Sequence, residues 1–364
     1  MKRPTRLNSR RFSRGNPLTK NVPLLVAILL FILLFVIGSV AYQSKGFLSL
    51  QVIFNLLIDN SYLLIIALGE NLVLIMGGID LSVGAVMAFC NMIFSYMLTN
   101  MGVSVWLAIP VVLLTGIIFG VFHGYLITYK GFQPFIATLA GQFIARGACY
   151  IISVDTIQIS NPGMIKASIW KLRMFGAHIS LGALIALALV VVFQIISRRT
   201  KFGRNVYAVG GNELSARLMG LPVQKTKMQV YIVAGLMTAV GSLVFALYVL
   251  SAYGTHGDGM HLDAVSAAVI GGTITTGGAG EMVGTLFGVL IIGIIRTMIT
   301  FQGNLNSWWS KIATAILLLL FILIQRLIIT VRERARISKK VEIISDEADG
   351  GGASVPVPAP LRKP

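Results

Sequence analysis

Apolar runs of about twenty residues, the length that crosses the hydrocarbon of a bilayer, recur from residue 22 to residue 329. A soluble domain has no core large enough for them, and a mean hydropathy of +0.84 with 12% charged residues excludes one on the same ground. The sequence therefore predicts an all-α polytopic membrane protein. Spans are expected near 22–42, 62–78, 81–98, 106–128 and 132–152, then near 179–197, 228–250, 262–274, 282–300 and 312–329. The eighth is short enough to be re-entrant. Residues 49–60 are apolar but too short to cross and are expected at the outer interface. Residues 153–178 read as the longest outer loop, with Asn161-Pro162 as a turn signal and Trp170 available for contact.

The net charge is +17, and its 30 Lys and Arg residues lie mostly between Lys2 and Lys20, between Arg198 and Lys227, and from Arg326 onward. About ten spans place these clusters on one side, which the positive-inside rule makes the cytoplasm, together with both termini. That placement argues for membrane lipid as the surroundings and against nucleic acid as a partner. Three regions follow: a basic head at 1–21, a membrane domain at 22–329 with a cytoplasmic loop at 198–227, and a tail at 330–364 that is basic, then rich in Gly and Pro and expected to be disordered. No small-residue cleavage pattern follows the first span, which reads as retained. Cys90 and Cys149 both fall in apolar segments, so neither disulfide nor metal spacing is present.

The stretch 67–89, ALGENLVLIMGGIDLSVGAVMAF, carries two carboxylates in an apolar setting. Gly77 and Gly78 permit a helix break, and Asp80 is expected to cap a helix that begins at Leu81, with Ser82 and Gly84 in its first turn. Backbone freed by such a break survives at membrane depth only inside protein or beside water. Glu70 has no capping role to explain it, which makes it a candidate for function or for a buried hydrogen bond to a neighbouring helix.

The two sets of five spans echo each other. Ile79-Asp80-Leu81 matches Leu262-Asp263-Ala264, the stripe Gly116, Gly120, Gly124 matches Gly280, Gly284, Gly288, and Ile136-Ala137-Thr138 matches Ile312-Ala313-Thr314. An odd number of helices per half would invert the second copy, which is how many transporters build a central site.

Chemistry of the enzymatic kind is not visible: there is no Walker A sequence, no HExxH and no Cys/His cluster, so the chain is expected neither to hydrolyse ATP nor to hold a metal or cofactor of its own. Glu70, Asn71, Asn91, Gln142 and Arg146, with Phe89, Phe143 and Tyr150 as apolar faces, suit a hydrated path for a sugar. Arg146 and Arg296 would equally be explained by snorkelling or by pairing with a carboxylate, and His123 by a hydrogen bond between helices. An ion-coupled carrier using Glu70 and Asp80 is the rival reading.

In the loop 198–227, Asn212 is placed to cap a short helix and Glu213 to occupy its first turn. Leu214 and Leu218 share a face with Arg217 beside them, and Gly220 stops the helix before Pro222. A helix that short is marginal by itself, so it is either a surface connector or a docking element.

Taken together, GGIDLSVGAV, QPFIATLAGQFIARG, FGRNVYAVGGNELSARLMG and AVIGGT resemble the permease of ribose/galactose-type sugar ABC importers, and within them the galactofuranose-type permeases, which work as paired, non-identical subunits. The resemblance spans about 22–329. It implies a bacterial inner-membrane permease that moves a pentose or hexose inward by alternating access. It also implies a separate ATPase subunit that uses ATP and Mg, a second permease subunit, identical or not, and an extracytoplasmic sugar-binding protein. On the resemblance, Asn212, Glu213, Leu214, Ala216, Arg217, Leu218 and Gly220 form the coupling helix, and Gly77, Gly78, Asp80, Ser82 and Gly84 the broken-helix signature. Glu70-Asn71 stands where many such permeases carry Met-Thr, so substrate identity does not transfer.

Overall fold

A computed structural model of the chain describes residues 22–303 and 308–323. The expectations for the head 1–21, for the tail 330–364 and for the end of the tenth span lie outside these residues. The helices are α1 (Val22–Ala41), α2 (Leu50–Asp59), α3 (Ser61–Ile75), α4 (Val83–Thr99), α5 (Val105–Tyr129), α6 (Pro134–Ile152), α7 (Pro162–Ile169), α8 (Leu181–Arg199), α9 (Lys201–Gly211), α10 (Glu213–Leu218), α11 (Val223–Val249), α12 (Met260–Ile270), α13 (Met282–Gln302) and α14 (Trp308–Leu323). Four short strands accompany them: β1 (Ile157–Gln158), β2 (Lys171–Met174), β3 (Ala177–Ser180) and β4 (Ser251–Ala252). The main unit covers residues 1–317; of the terminal unit, 318–364, only the end of α14 is described.

Among the described residues six helices, α1, α5, α6, α8, α11 and α13, are long and apolar enough to cross a membrane, and α2 with α3, bent by 59°, make a seventh if the pair is one span. Ten spans were expected; α4, α12 and α14 are shorter apolar helices. At 1.5 Å per residue α12 is about 16 Å long, half the thickness of the hydrocarbon. The eighth expected span is thus a half-helix, consistent with its short apolar run.

Helix α11 is the centre of the bundle, packed on α3, α4 and α5. Helix α3 is buried on every side from Leu63 to Ile75, as a helix apolar all round requires, and that burial takes in Glu70 and Asn71. Between α5 and α11 the backbones approach closely: a Cβ on Gly116 would overlap the Gly235 carbonyl, and one on Gly120 the Tyr231 carbonyl. In lipid, where burial of apolar surface gives no advantage, such close contact is what holds helices together. The second stripe behaves differently. Gly284 and Gly288 meet Gly271 and Ala267 of α12, while Gly280 lies ahead of α13 against Thr273. The two stripes matched in sequence therefore do not pack on equivalent partners.

Residues 153–180 form a small structured lobe rather than a loop. Asn161 caps α7, its Oδ1 accepting from Gly163 N (2.9 Å) and Met164 N (3.3 Å), so Asn161-Pro162 starts a helix instead of making a turn. Strands β2 and β3 close through Phe175 and Gly176, both at positive φ, the backbone a two-residue hairpin demands. Strand β1 pairs antiparallel with β4, Ile157 opposite Ala252, which fixes the far ends of α6 and α11 side by side.

Candidate functional site

Two helix breaks meet at one end of the bundle. The first ends α3: Gly77 N donates to Leu74 O (2.9 Å) and Gly78 N to Val73 O (2.9 Å), with Gly77 at φ +88°. This is the double hydrogen bond of a Schellman stop, and it needs a residue free of Cβ at the left-handed position. The second ends α12 in the same way, with Gly272 N to Val269 O (2.9 Å), Thr273 N to Ala268 O (3.0 Å) and Gly272 at φ +97°.

Beyond the first break, α4 begins at Val83, not Leu81, and Asp80 is not its N-cap. Asp80 Oδ1 instead accepts from Ser82 N (2.8 Å) and Ser82 Oγ (2.6 Å), tightening the three residues that precede the helix. Such short-range bonding is what makes Asp favour turns as readily as caps. Glu70, fully buried, reaches the same segment: its Oε1 accepts from Asp80 N (3.1 Å). Thr138 of α6 closes the third side, accepting from Leu81 N at 3.2 Å. Asn71, the next residue after Glu70, serves the second break, its Oδ1 accepting from Thr273 Oγ1 (2.6 Å) and its Nδ2 donating to Glu281 O (3.2 Å). Gly84 packs so closely that a Cβ there would overlap the Gly257 carbonyl.

The two breaks and α9 meet backbone to backbone. Gly278 N donates to Ile75 O (2.7 Å), and a Cβ on Gly210 would overlap that same carbonyl. Around this contact Tyr207 Oη donates to Gly280 O (2.7 Å), Arg198 pairs with Glu281 and lies over the Tyr207 ring, and Gln194 Oε1 accepts from Met282 N (3.1 Å). Gln194 and Glu281 were not singled out from the sequence, and Arg198 only as one cation of a basic cluster; the aromatic and cationic residues spaced along 198–207 were the available signal.

Helix α10 follows α9 directly and projects from this end. Asn212 Oδ1 accepts from Ser215 N (2.7 Å), and Gly220, at φ +75°, ends the helix with a third Schellman pair, Leu221 N to Ala216 O and Gly220 N to Arg217 O, each 3.0 Å. Glu213 is braced by Lys227 (2.6 Å) and Arg217 (3.2 Å), and the Lys227 hydrogen bond, seconded by the Arg217 charge, holds its carboxyl below the usual range. Leu214 and Leu218 are 68% and 80% exposed, whereas Ala216 is fully buried and anchors the helix instead of joining its outer face.

The residues expected along a path do not form one group. Glu70 and Asn71 are committed to the breaks. Phe89 packs edge-on against Phe119 (5.9 Å), and Asn91 Nδ2 donates to Ser251 O (2.9 Å). Gln142, Phe143 and Arg146 lie on α6, with Phe143 on its exposed face. Arg146 neither snorkels nor meets a carboxylate: Nη1 donates to the carbonyls of Gly254 and of His256, the latter at 3.0 Å. Arg296 pairs with Asp263 (2.6 Å). His123 packs against Gly141 with its Nε2 buried and without a hydrogen-bond partner, contrary to the expected bond between helices.

A profile of the family described as branched-chain amino acid transport system / permease component matches residues 52–322. The inner membrane ABC transporter permease protein YjfF of Escherichia coli (strain K12) is 42% identical over 309 residues, 84% of this chain and 92% of that one. The fructose import permease protein FruG of Bifidobacterium longum (strain NCC 2705) is 36% identical, covering 85% and 92%, and the ribose import permease protein RbsC of Bacillus subtilis (strain 168) is 35% identical, covering 82% and 90%. No solved structure matches significantly. The glycine-stopped breaks and the capped projecting helix are thus features of a multi-pass membrane protein that belongs to the permease components of ABC transporters, alongside the sugar import permeases.

Proposed function

We propose that the chain is the membrane subunit of a bacterial inner-membrane sugar importer, passing a monosaccharide inward by alternating access while a separate ATPase subunit hydrolyses ATP with Mg. A second permease subunit, like or unlike this one, completes the path, and an extracytoplasmic binding protein delivers the sugar. The observation that carries the reading is α10: capped at both ends, braced through Glu213, and presenting Leu214 and Leu218 outward. It sits one residue beyond α9, whose Gly210 abuts both helix breaks. A push on α10 is therefore delivered to backbone with no side chain in between to absorb it. Such a push drives transport only if it favours one access state over the other.

In this reading the α10 end faces the cytoplasm, which agrees with the cations of residues 198–227. Pro23, at the start of α1, packs beside Gly272 at that end, which supports a cytoplasmic N-terminus. The three shorter helices, α4, α12 and α14, stand where the other three of the ten expected spans lie, α12 as a half-helix. An ion-coupled carrier is the less favoured reading, because one oxygen of each carboxylate, Glu70 Oε1 and Asp80 Oδ1, already accepts from the backbone of the break, which leaves such a carrier only the buried, unpartnered Glu70 Oε2 and the second oxygen of Asp80. The test is a disulfide or bifunctional cross-link from Leu218→Cys in the assembled complex. Linkage to a nucleotide-hydrolysing subunit is expected; uptake that persists in vesicles lacking such a subunit would overturn the reading.

A further inference from the structure

The segment between β4 and α12, Tyr253 to Gly259, has no regular structure beyond turns, yet it lies deep in the helix bundle. Helix α4 measures the depth. Asn91 holds Ser251, and Gly257 reaches Gly84, so the segment descends alongside α4 towards that helix's first turn. Between Gly84 and Thr99, at the opposite end of α4, there is about 22 Å of helix at 1.5 Å per residue. Irregular backbone is excluded from contact with lipid at such depth, because its amides and carbonyls find no partners there. A charged side chain in the same place faces protein or water, for the same reason.

The segment is pinned on its inner side. Arg146 takes the carbonyls of Gly254 and His256, and Gly254 lies against Tyr150 and Cys149 of α6. His256 turns its ring inward, edge-on to Phe245 at 5.1 Å. Thr255 and Asp258, in contrast, are exposed, beside a helix that also exposes Phe143. A hydroxyl, a carboxylate and an aromatic face are the groups that recognise a polyhydroxylated ring: the carboxylate accepts from sugar hydroxyls, and the aromatic covers an apolar sugar face.

Resting on the importer reading, we propose that Tyr253 to Gly259 is a wall of the sugar path, with Thr255 and Asp258 as its sugar-contacting residues and Arg146 as the residue that positions it. A polar segment exposed at this depth is compatible with a membrane only if this side of the chain borders water or the second permease subunit and not lipid, and a sugar path shared between the two subunits meets that condition. Arg146 shapes the wall through one guanidinium nitrogen, Nη1, which donates to both carbonyls; a lysine ammonium sits one bond closer to the backbone and does not reach the same point.

The test uses the reconstituted importer with its ATPase and loaded binding protein. Thr255→Cys and Asp258→Cys are treated with a membrane-impermeant charged thiol reagent; the native Cys90 and Cys149 are buried. Both positions are expected to label, and Asp258→Asn is expected to lower sugar moved per ATP hydrolysed at least fivefold while stimulated ATPase stays within twofold. Arg146→Lys is expected to change the labelling rate of Thr255→Cys at least threefold. Failure of both positions to label, or unchanged sugar per ATP in Asp258→Asn, overturns the wall; an unchanged labelling rate in Arg146→Lys overturns the positioning role. Labelling does not require transport, so it still reads the wall if the unmodified protein shows no ATPase-dependent uptake, the result that would sink the importer reading itself.

Discussion

Glu70 and Asn71 are neighbours on α3, yet each secures a different helix break: Glu70 accepts the amide of Asp80, while Asn71 joins Thr273 and the carbonyl of Glu281. One turn of a fully buried helix thus ties together chain segments some two hundred positions apart in sequence, the separation of Asn71 and Thr273 being 202. The polar pair is a fastening in an apolar interior, where each unmade bond is expensive.

That arrangement predicts an order of stability. Glu70→Gln keeps an acceptor for Asp80 N and is expected to unfold at or near the temperature of the parent protein. Glu70→Leu leaves that buried amide unpaired and is expected to lose about 1–3 kcal/mol. Thermal unfolding of purified protein in detergent distinguishes them. A leucine variant as stable as the parent would show that Glu70 has another purpose.

How much of this was legible in the sequence depends on whether a residue acts locally. Gly77 and Gly220 were readable because a left-handed helix stop is a property of a few adjacent residues. Asn212 as a cap was readable for the same reason. Asp80 was misplaced because Asp80 and Ser82 both have capping chemistry, and only the fold decides that the carboxylate bonds the serine ahead of α4. The partners of Glu70, Asn71 and Arg146 lie 10, 210 and 108 positions away along the chain. Polarity in an apolar run marked these residues as important, but it carries no information about where such a partner is. The same limit hid the segment 253–259, whose Gly, Thr, His and Asp read as a gap between spans until α4 and α6 were seen on either side of it.

Close backbone approach makes a second prediction. Gly84→Ala and Gly120→Ala would place a Cβ against carbonyls of Gly257 and Tyr231, whereas Gly147 on α6 has open space around it. The first two are expected to cost about 1–3 kcal/mol by overpacking, and Gly147→Ala to be neutral or slightly stabilising as a helix former replaces glycine. Thermal unfolding of the three variants side by side checks this. Equal effects at Gly147 and Gly84 would mean that the helices are not so tightly joined.

Loss of the brace on α10 should separate coupling from folding. Glu213→Ala with Arg217→Ala removes both ion pairs of Glu213, with Arg217 and with Lys227, each at the surface and worth about tenths of a kcal/mol to stability, and leaves the Asn212 cap intact. Membrane insertion and yield are expected to be unchanged, while uptake and binding-protein-stimulated ATPase fall together several-fold. Uptake that falls with ATPase intact would place the defect in the path instead of in the docking helix.

Acid should loosen the same helix, and Lys227 determines where. Because the Lys227 hydrogen bond depresses the Glu213 carboxyl in the folded chain, the brace contributes fully above the unfolded value of about 4.3 and is lost as pH falls through the lower folded value. With a Glu213 side chain 43% exposed, that contribution is local and small, tenths of a kcal/mol after solvent screening. A spin label at Leu218→Cys is therefore expected to keep one mobility from pH 7 to about 5 and to become freer below about 4. In Lys227→Met the main cause of the depression is gone, so the label is expected to be freer already at pH 7, with a smaller acid change that begins at higher pH. An acid transition of the same size and midpoint in both proteins would mean that a different carboxylate controls the helix.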